Sequence, residues 1–434
     1  MSNDKPQGVY ASYFASIVGE ENAVCLWENI ELGQQKRIQQ AIASGHPPSC
    51  IVYPRSQQQL AAVIATAHSN NWRVLPCGNS SKLNWGGLVQ GIDVVVSTER
   101  INQLIEHAVG DLTITVEAGI KFSNLQALLA KSRQFLALDP TAPELATIGG
   151  IVATSDTGSL RQRYGSVRDQ LLGITFVRAD GQIAKAGGRV VKNVAGYDLM
   201  KLLTGSYGTL GFISQLTFRL YPLAEASETV VLTGTAEAVS QAADILRGSA
   251  LTPVQADLLS TKLVSSLGLG EGLGLIARFK SISESVKEQS NRVLEVGQKL
   301  GLDGAIYVDD DEANLWQRLQ ERIHYTATES VITCKIGVLP TAAVEILTQV
   351  ELGLIHIGSG LGLLQLEGKN QVLKVRDRTQ AHRGFLTILE APVAVKEQID
   401  VWGYTGNALP LMRRIKEQFD SKNILSPGRF VGGI

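Results

Sequence analysis

The residues best equipped for chemistry lie between Thr147 and Asp169, in TIGGIVATSDTGSLRQRYGSVRD. Gly149 and Gly150 carry no Cβ, so the backbone there can bend freely or lie directly against a ligand. Thr147, Thr154, Ser155, Thr157 and Ser159 add hydroxyls able to donate to phosphate or ribose oxygens. The same stretch also reads as a tight turn between two buried segments, so its company decides. That company is a second glycine-and-hydroxyl segment, PCGNSSKLNWGG, running from Pro76 to Gly87. Backbone N–H groups from Gly78 through Asn79 and Ser80 to Ser81 suit a concave nest, with the Lys82 ammonium beside it. The chemistry fits an anion. The alternative is a solvated connection with Lys82 in water.

The elements around these segments place them. Ser56-x-x-Gln59 is a capping box opening a helix whose Leu60, Val63, Ile64 and Ala67 share one face. Strands are expected at 73–75 and 93–97, which sets the Pro76 loop at the carboxyl end of a strand, where open α/β sheets bind ligands. A second unit repeats the plan. It has a strand at 114–117, a capping box at Ser123-Asn124-Leu125-Gln126, and a helix turning Leu125, Leu128 and Leu129 inward. Strands at 174–178 and 183–185 flank an Asp180-Gly181 hairpin turn. Leu216, Phe218 and Leu220 then alternate with polar residues up to a boundary at Pro222.

From about 224 the order becomes strand, helix, strand, strand, helix, which predicts a ferredoxin-like α+β layer. Gly268 to Gly274 misses the G-x-G-x-x-G spacing and reads as a loop feeding a strand. In the last segment Asn407 stands at a cap position and Pro410 in the first helical turn. Leu411, Ile415 and Phe419 mark the helix's inner face, and Arg413, Arg414 and Lys416 its solvated side. Residues 1–46 read as a helical lead-in with no chemistry.

Composition narrows the classes. With 434 residues, two or three domains are expected. Forty basic and 41 acidic residues nearly cancel, which argues against a nucleic acid or a membrane surface recruited by bulk charge. No apolar run is long enough for a bilayer and the N-terminus shows no signal pattern, so a cytoplasmic location is expected, with membrane association only through partners. Cys25, Cys50, Cys77 and Cys334 are scattered without a C-x-x-C, which leaves disulfides, zinc and iron–sulfur clusters unsupported. Any metal relay for electrons would sit on another subunit.

Taken together, PCGNSSKLNWGG, TIGGIVATSDTGSLRQRYGSVRD and VVKNVAGYDLMKLLTGSYGTLGFI resemble the flavin domain of the vanillyl-alcohol-oxidase/PCMH superfamily. Within it the chain is similar to the FAD-binding E subunits of bacterial glycolate oxidases, down to the ending KEQFDSKNILSPGRF. The resemblance implies a two-lobed PCMH-type domain at 47–223, an α+β cap at 224–400, and a segment 401–434 returning to the flavin domain. It implies FAD, its pyrophosphate against Gly78, Asn79, Ser80, Ser81 and Lys82. Thr147, Gly149, Gly150, Thr154, Gly158 and Ile213 would line the rest of the cofactor's path, with Pro140 and Tyr164 also in the binding set. Ser80 stands where some relatives tether the flavin through histidine, so non-covalent FAD is expected. Partners implied are a sister flavoprotein subunit, an iron–sulfur subunit and a small 2-hydroxy acid.

The departures bear on catalysis. Relatives acting on D-2-hydroxy acids carry H-x-G-D-G-N-x-H for a metal and substrate, and later E-H-G. Here the first resembles His356-Ile-Gly-Ser-Gly-Leu-Gly-Leu363 and the second Val401-Trp402-Gly403. One histidine does not make a metal site, so none is expected, and His356 reads as a satisfied structural histidine. Lys192 and Asn193 match K-N-x-A-G-Y-D, near the flavin ring in relatives: either Lys192 tunes the reduced flavin or the segment shapes a turn. Three roles remain open: a flavoprotein subunit of a glycolate or D-lactate dehydrogenase complex, a self-sufficient dehydrogenase using Arg163, Lys192, Asn193 or Tyr197, and a scaffold without redox chemistry.

Overall fold

Runs buried at every residue call for strands covered on both faces. The first sheet has such runs at its centre: β1 (Val24–Leu26), β2 (Cys50–Val52), β3 (Val74–Cys77) and β4 (Val94–Ser97) lie in the order β1-β2-β4-β3, with β1 half-buried at the edge. β2 and β3 run parallel to β4, and every residue of β2 and β4 is buried. The computed structural model describes residues 8–19, 23–188, 196–324 and 330–434. Helix Gln57–Asn70 covers this sheet with Leu60, Val63, Ile64 and Ala67, as their spacing predicts. Burying each of the larger three contributes roughly 1.5–3 kcal/mol. Ser56 caps the helix by accepting from the Gln59 N–H, while Gln59 Oε1 accepts from Arg55 N–H at 2.8 Å, one residue earlier than a capping box requires.

The expected lead-in is helical at Gly8–Val18 and Leu32–Gln39, but it also supplies β1. Phe14 is buried with its ring 5.5 Å from that of Trp72, so the segment belongs to the first lobe's core.

The second lobe is antiparallel. Its strands are β5 (Leu104–Ala108), β6 (Thr113–Glu117), a short β7 (Gln134–Phe135), β8 (Leu171–Val177), β9 (Ile183–Gly187), β10 (Phe212–Arg219) and a short β11 (Tyr221–Pro222). Five form a sheet in the order β5-β6-β10-β8-β9, and β7 pairs with β11. The hairpin at Asp180-Gly181 joins β8 to β9 as expected. The capping box at Ser123 is absent: helix Phe122–Ala130 starts at Lys121 without a side-chain cap, and Gln126 instead exchanges two hydrogen bonds with the Leu136 backbone.

The cap is one eight-stranded sheet made of β12 (Ala226–Gly234), β13 (Gln255–Leu259), β14 (Leu273–Ser281), β15 (Asp303–Val308), β16 (Val331–Gly337), β17 (Leu352–His356), β18 (Leu361–Glu367) and β19 (Phe385–Glu390). Its order, β15-β12-β14-β13-β17-β18-β16-β19, divides into two β-α-β-β-α-β units, so the expected ferredoxin-like layer occurs twice. The units join edge to edge through β13 and β17, which covers one edge of each and leaves β15 and β19 as the outer strands.

The chain then returns to the first lobe. Val74 N–H donates to Ile424 and Ser426 N–H to Val74, extending the first sheet beyond β3. Helix Leu409–Phe419 is preceded by Ala408, not Asn407, with Pro410 in its first turn. Lys416 is not on its solvated side. It is buried, donating to Thr209 O, Leu425 O and Asp420 Oδ2 at 2.9, 2.9 and 2.7 Å, while Leu411 is exposed.

Candidate functional site

Three distant segments meet around one groove. Loop residues 76–83, helix Ile148–Thr154 with its cap Thr147, and residues 207–213 line it, joined by Thr98 and Arg429. The groove is a space of about 660 Å³, part of it open to solvent. The glycines divide the labour. A Cβ on Gly78 would sit 2.1 Å from Thr147 Oγ1, so glycine lets the loop touch the helix cap. One on Gly149 would lie 2.8 Å from Ala118 Cβ, seating the helix on the second lobe, whereas one on Gly150 would meet only Thr147 Oγ1, at 3.2 Å. Gly149-Gly150 thus lie inside a helix, not in a tight turn. Ser80 holds a left-handed φ of 60°, and its buried Oγ has no hydrogen-bond partner.

Of the thirteen candidate residues, Gly78, Asn79, Ser80, Ser81, Lys82, Thr147, Gly149, Gly150, Thr154 and Ile213 line this groove. Glycine backbone, threonine and serine, with an orphaned buried hydroxyl among them, make a neutral donor set that fits the diphosphate and ribityl chain of FAD. Two hydroxyls are already engaged: Thr154 Oγ1 donates to Gly150 O at 2.8 Å, and Thr147 Oγ1 accepts from Gly150 N–H. Lys82 differs from expectation. Its ammonium lies 3.1 Å from Asp156 Oδ2 and donates to Thr141 O, so its charge is already matched.

The Lys82–Asp156 pair is a wall with a second cavity behind it. Lys82 lines the first groove, Asp156 the second, and Trp85 carries the same loop round into the second. This second cavity, about 750 Å³ including its solvent-open part, is lined by titratable groups: Asp139, Asp156, Asp257, His324, Lys335 and His356. The seam of the cap sheet assembles the central pair. β13 and β17 place Asp257 directly opposite His356, and Asp257 Oδ1 lies 2.5 Å from His356 Nδ1. Asp257 is fully buried and its Oδ2 has no partner.

Gln255, on the same strand, donates to Ser159 Oγ at 3.2 Å and Asp139 Oδ2 at 3.4 Å, tying the cap to the flavin-type lobes. Burial pushes Asp139 up to about 7, against backbone N–H groups of Leu160 and Gly158 and the nearby His356, which pull it down. Burial also lowers His324 and Lys335, each partly restored by attraction to Asp156. These shifts favour neutral forms of groups facing the cavity.

Other candidates fall elsewhere. Gly158 lines the second cavity, its N–H donating to Asp139 Oδ1 at 2.8 Å. Pro140 is buried but lines neither space. Tyr164 belongs to a structural aromatic cluster, its ring 4.7 Å from Tyr221 and 5.6 Å from Phe135. Arg163 is exposed and Tyr197 is 89% exposed, so neither reaches the cavities. Lys192 and Asn193 lie outside the described residues. Leu363 lines the second cavity, whereas Trp402 packs between Tyr207 and Phe430 and donates to Arg429 O.

Sequence reasoning missed Asp139, Asp257, Lys335 and Arg429. Lys335 alone left a signal, as a lone cation among Ile332, Cys334 and Ile336. Among the described residues, no group of three or more His, Cys, Asp or Glu is placed to hold a metal ion, and no helix is long and apolar enough to cross a membrane.

Residues 48–187 match a family described as FAD binding domain. The chain is similar to a probable mitochondrial D-lactate dehydrogenase of Danio rerio, at 27% identity over 96% of this chain and 90% of that one. It is also similar to Glycolate oxidase subunit GlcD of Bacillus subtilis, at 22% identity over 88% of each. Among solved structures, p-cresol methylhydroxylase with substrate bound matches with a TM-score of 0.75 at 15% identity, covering 97% of this chain and 96% of that one, which establishes the shared fold.

Proposed function

We propose that this chain is an FAD-dependent dehydrogenase of a small 2-hydroxy acid, glycolate or D-lactate, that passes its electrons to an iron–sulfur partner subunit; the match of residues 48–187 to an FAD binding domain supports the cofactor. The carrying observation is the shared wall: one ion pair, Lys82–Asp156, stands between a groove lined mainly by backbone and hydroxyl donors and a cavity of acid–base groups. The names of relatives, D-lactate dehydrogenase and glycolate oxidase subunit, support the substrate class. Gly78 to Ser81, Thr147, Gly150 and Ile213 would hold the cofactor without a covalent bond, Ser80 offering no imidazole for one. Bound there, FAD supplies the acceptor for the two electrons and the hydrogen leaving the substrate's carbinol carbon.

The remaining work falls to side chains of the cap. Asp257 fixes His356 with its proton on Nδ1, which leaves Nε2 free to take the substrate's hydroxyl proton. Nε2 has no protein partner among the described residues. His356 is therefore assigned a catalytic role in this proposal, in contrast to its structural reading from sequence. Lys335, its pKa lowered by burial, supplies the cation for the carboxylate where relatives use a metal, because the arriving negative charge, with Asp156, favours its protonated form.

A second reading has one observation in its favour: Leu361 and Leu363 line the cavity where relatives carry an amide and a second histidine. In it the chain, like the E subunits it resembles, holds FAD while a sister subunit oxidises the acid. Anaerobic addition of glycolate or D-lactate to the isolated, FAD-loaded protein separates the two. Bleaching of the flavin is expected. If bleaching requires the sister subunit, the second reading replaces the first, and a protein that takes up no flavin ends both.

A further inference from the structure

Five consecutive backbone carbonyls, Lys82 through Gly86, are all claimed by two buried cations. Arg429 Nη2 donates to Lys82, Leu83 and Trp85 at 3.3, 2.7 and 3.1 Å, and Lys396 Nζ donates to Asn84 and Gly86. None of these oxygens is left to repel an anion in the groove. Arg429 is 3% exposed and lines that groove, yet its Nε and Nη1 are buried without hydrogen-bond partners. Among the described residues no carboxylate lies within ion-pair distance of it. Burial, then repulsion from Arg429, pushes Lys396 down to about 7, with attraction to Glu390 pulling the other way. A buried cation with idle donors and no counterion is costly unless a ligand brings the negative charge.

We propose that Arg429 is the cation that holds the diphosphate of FAD, the role that sequence alone assigns to Lys82. Lys82 is excluded by its pairing with Asp156. The backbone that carries Arg429 is fixed, because its carbonyl accepts from Gly87 N–H at 2.9 Å and from Trp402 Nε1 at 3.2 Å. This explains why the chain's end comes back to the loop: it delivers one guanidinium that both pins the loop and charges the groove.

The inference rests on FAD occupying the first groove. Apoprotein is titrated with FAD, with ADP, which has the diphosphate but no ring, and with riboflavin, which has the ring but no diphosphate. Arg429→Met is expected to weaken FAD and ADP by the same factor, roughly 10- to 100-fold, and to leave riboflavin unchanged. Arg429→Lys should recover part of the loss. Weakening of riboflavin alongside FAD would mean the loop has merely collapsed, and weakening of FAD with ADP untouched would move the contact to the ring; either overturns the proposal. The double variant Lys82→Met/Asp156→Asn gives an arm that does not depend on Arg429→Met folding. Its ADP affinity and salt dependence should match the parent, and loss of either returns the role to Lys82. A parent protein that binds none of the three ligands refutes the underlying reading instead.

Discussion

The two cavities meet at one ion pair and are built on opposite principles. The first is made mostly of backbone: glycines, a helix cap and hydroxyls from stretches each contiguous in sequence, with the guanidinium of Arg429 and the Asp156-paired ammonium of Lys82 as its charged side chains. The second is made of side chains, each from a different strand or loop and brought together by sheet register. A cofactor carried through every turnover needs fixed donors, and backbone N–H groups are always present and never change protonation. Proton transfer needs groups whose charge can change, and those must be side chains set in a low-dielectric pocket. If this contrast is right, the first site fails when its backbone geometry is disturbed, and the second when a single functional group is exchanged.

The largest effect should come from His356. His356→Asn keeps a polar side chain opposite Asp257 but removes the basic ring nitrogen. The rate of flavin reduction by substrate is expected to fall roughly 10²- to 10⁴-fold while bound flavin absorbance is unchanged. A loss below tenfold in stopped-flow reduction would reduce the second cavity to packing.

Asp139 sharpens the contrast through pH. Its pKa is raised from 3.8 to about 7 by burial, so between these values the folded protein holds a proton that the unfolded chain releases. Its contribution is therefore neutral below pH 4, and stability is lost as pH rises from about 4 to 7. The full penalty, up to about 4 kcal/mol, is present above pH 7. Asp139→Asn cannot ionise, so denaturant midpoints measured across that range should lose this part of the slope. An unchanged slope would show Asp139 to be charged throughout.

The same contrast explains what the sequence disclosed. The first groove was legible because its parts are local: Gly78 to Lys82 and Thr147 to Thr154 are each one motif, and the helix of Leu60, Val63, Ile64 and Ala67 shows its period directly. The doubled ferredoxin-like cap was half legible, since the first unit follows the expected order and the second is a repeat of topology, not of residues. The dyad could not be seen. Asp257 and His356 are 99 residues apart and become neighbours only through the register of β13 on β17, which no local pattern encodes. Lys416 failed for a different reason. Its partner Asp420 stands four residues on, a spacing that faces it on the helix, but a cation close behind two arginines looks solvated until the returning chain at Leu425 covers it.

Gly78→Ala probes the first groove by the smallest possible addition. The new methyl would stand 2.1 Å from Thr147 Oγ1 and 3.0 Å from Thr147 Cβ, too close for the loop and the cap to stay where they are. Thr147 cannot simply rotate away, because its Oγ1 accepts the Gly150 N–H that starts the helix. Either the cap breaks or the loop lifts from the helix, and each outcome widens the groove at the point where the nest should close. Overpacking of this kind costs about 1–3 kcal/mol, so the apoprotein should remain folded while losing stability in that range. FAD affinity should fall with it, since the N–H groups of Gly78 to Ser81 no longer converge. If FAD affinity in the variant equals that of the parent, the nest is not what grips the cofactor, and the backbone-built half of the comparison fails.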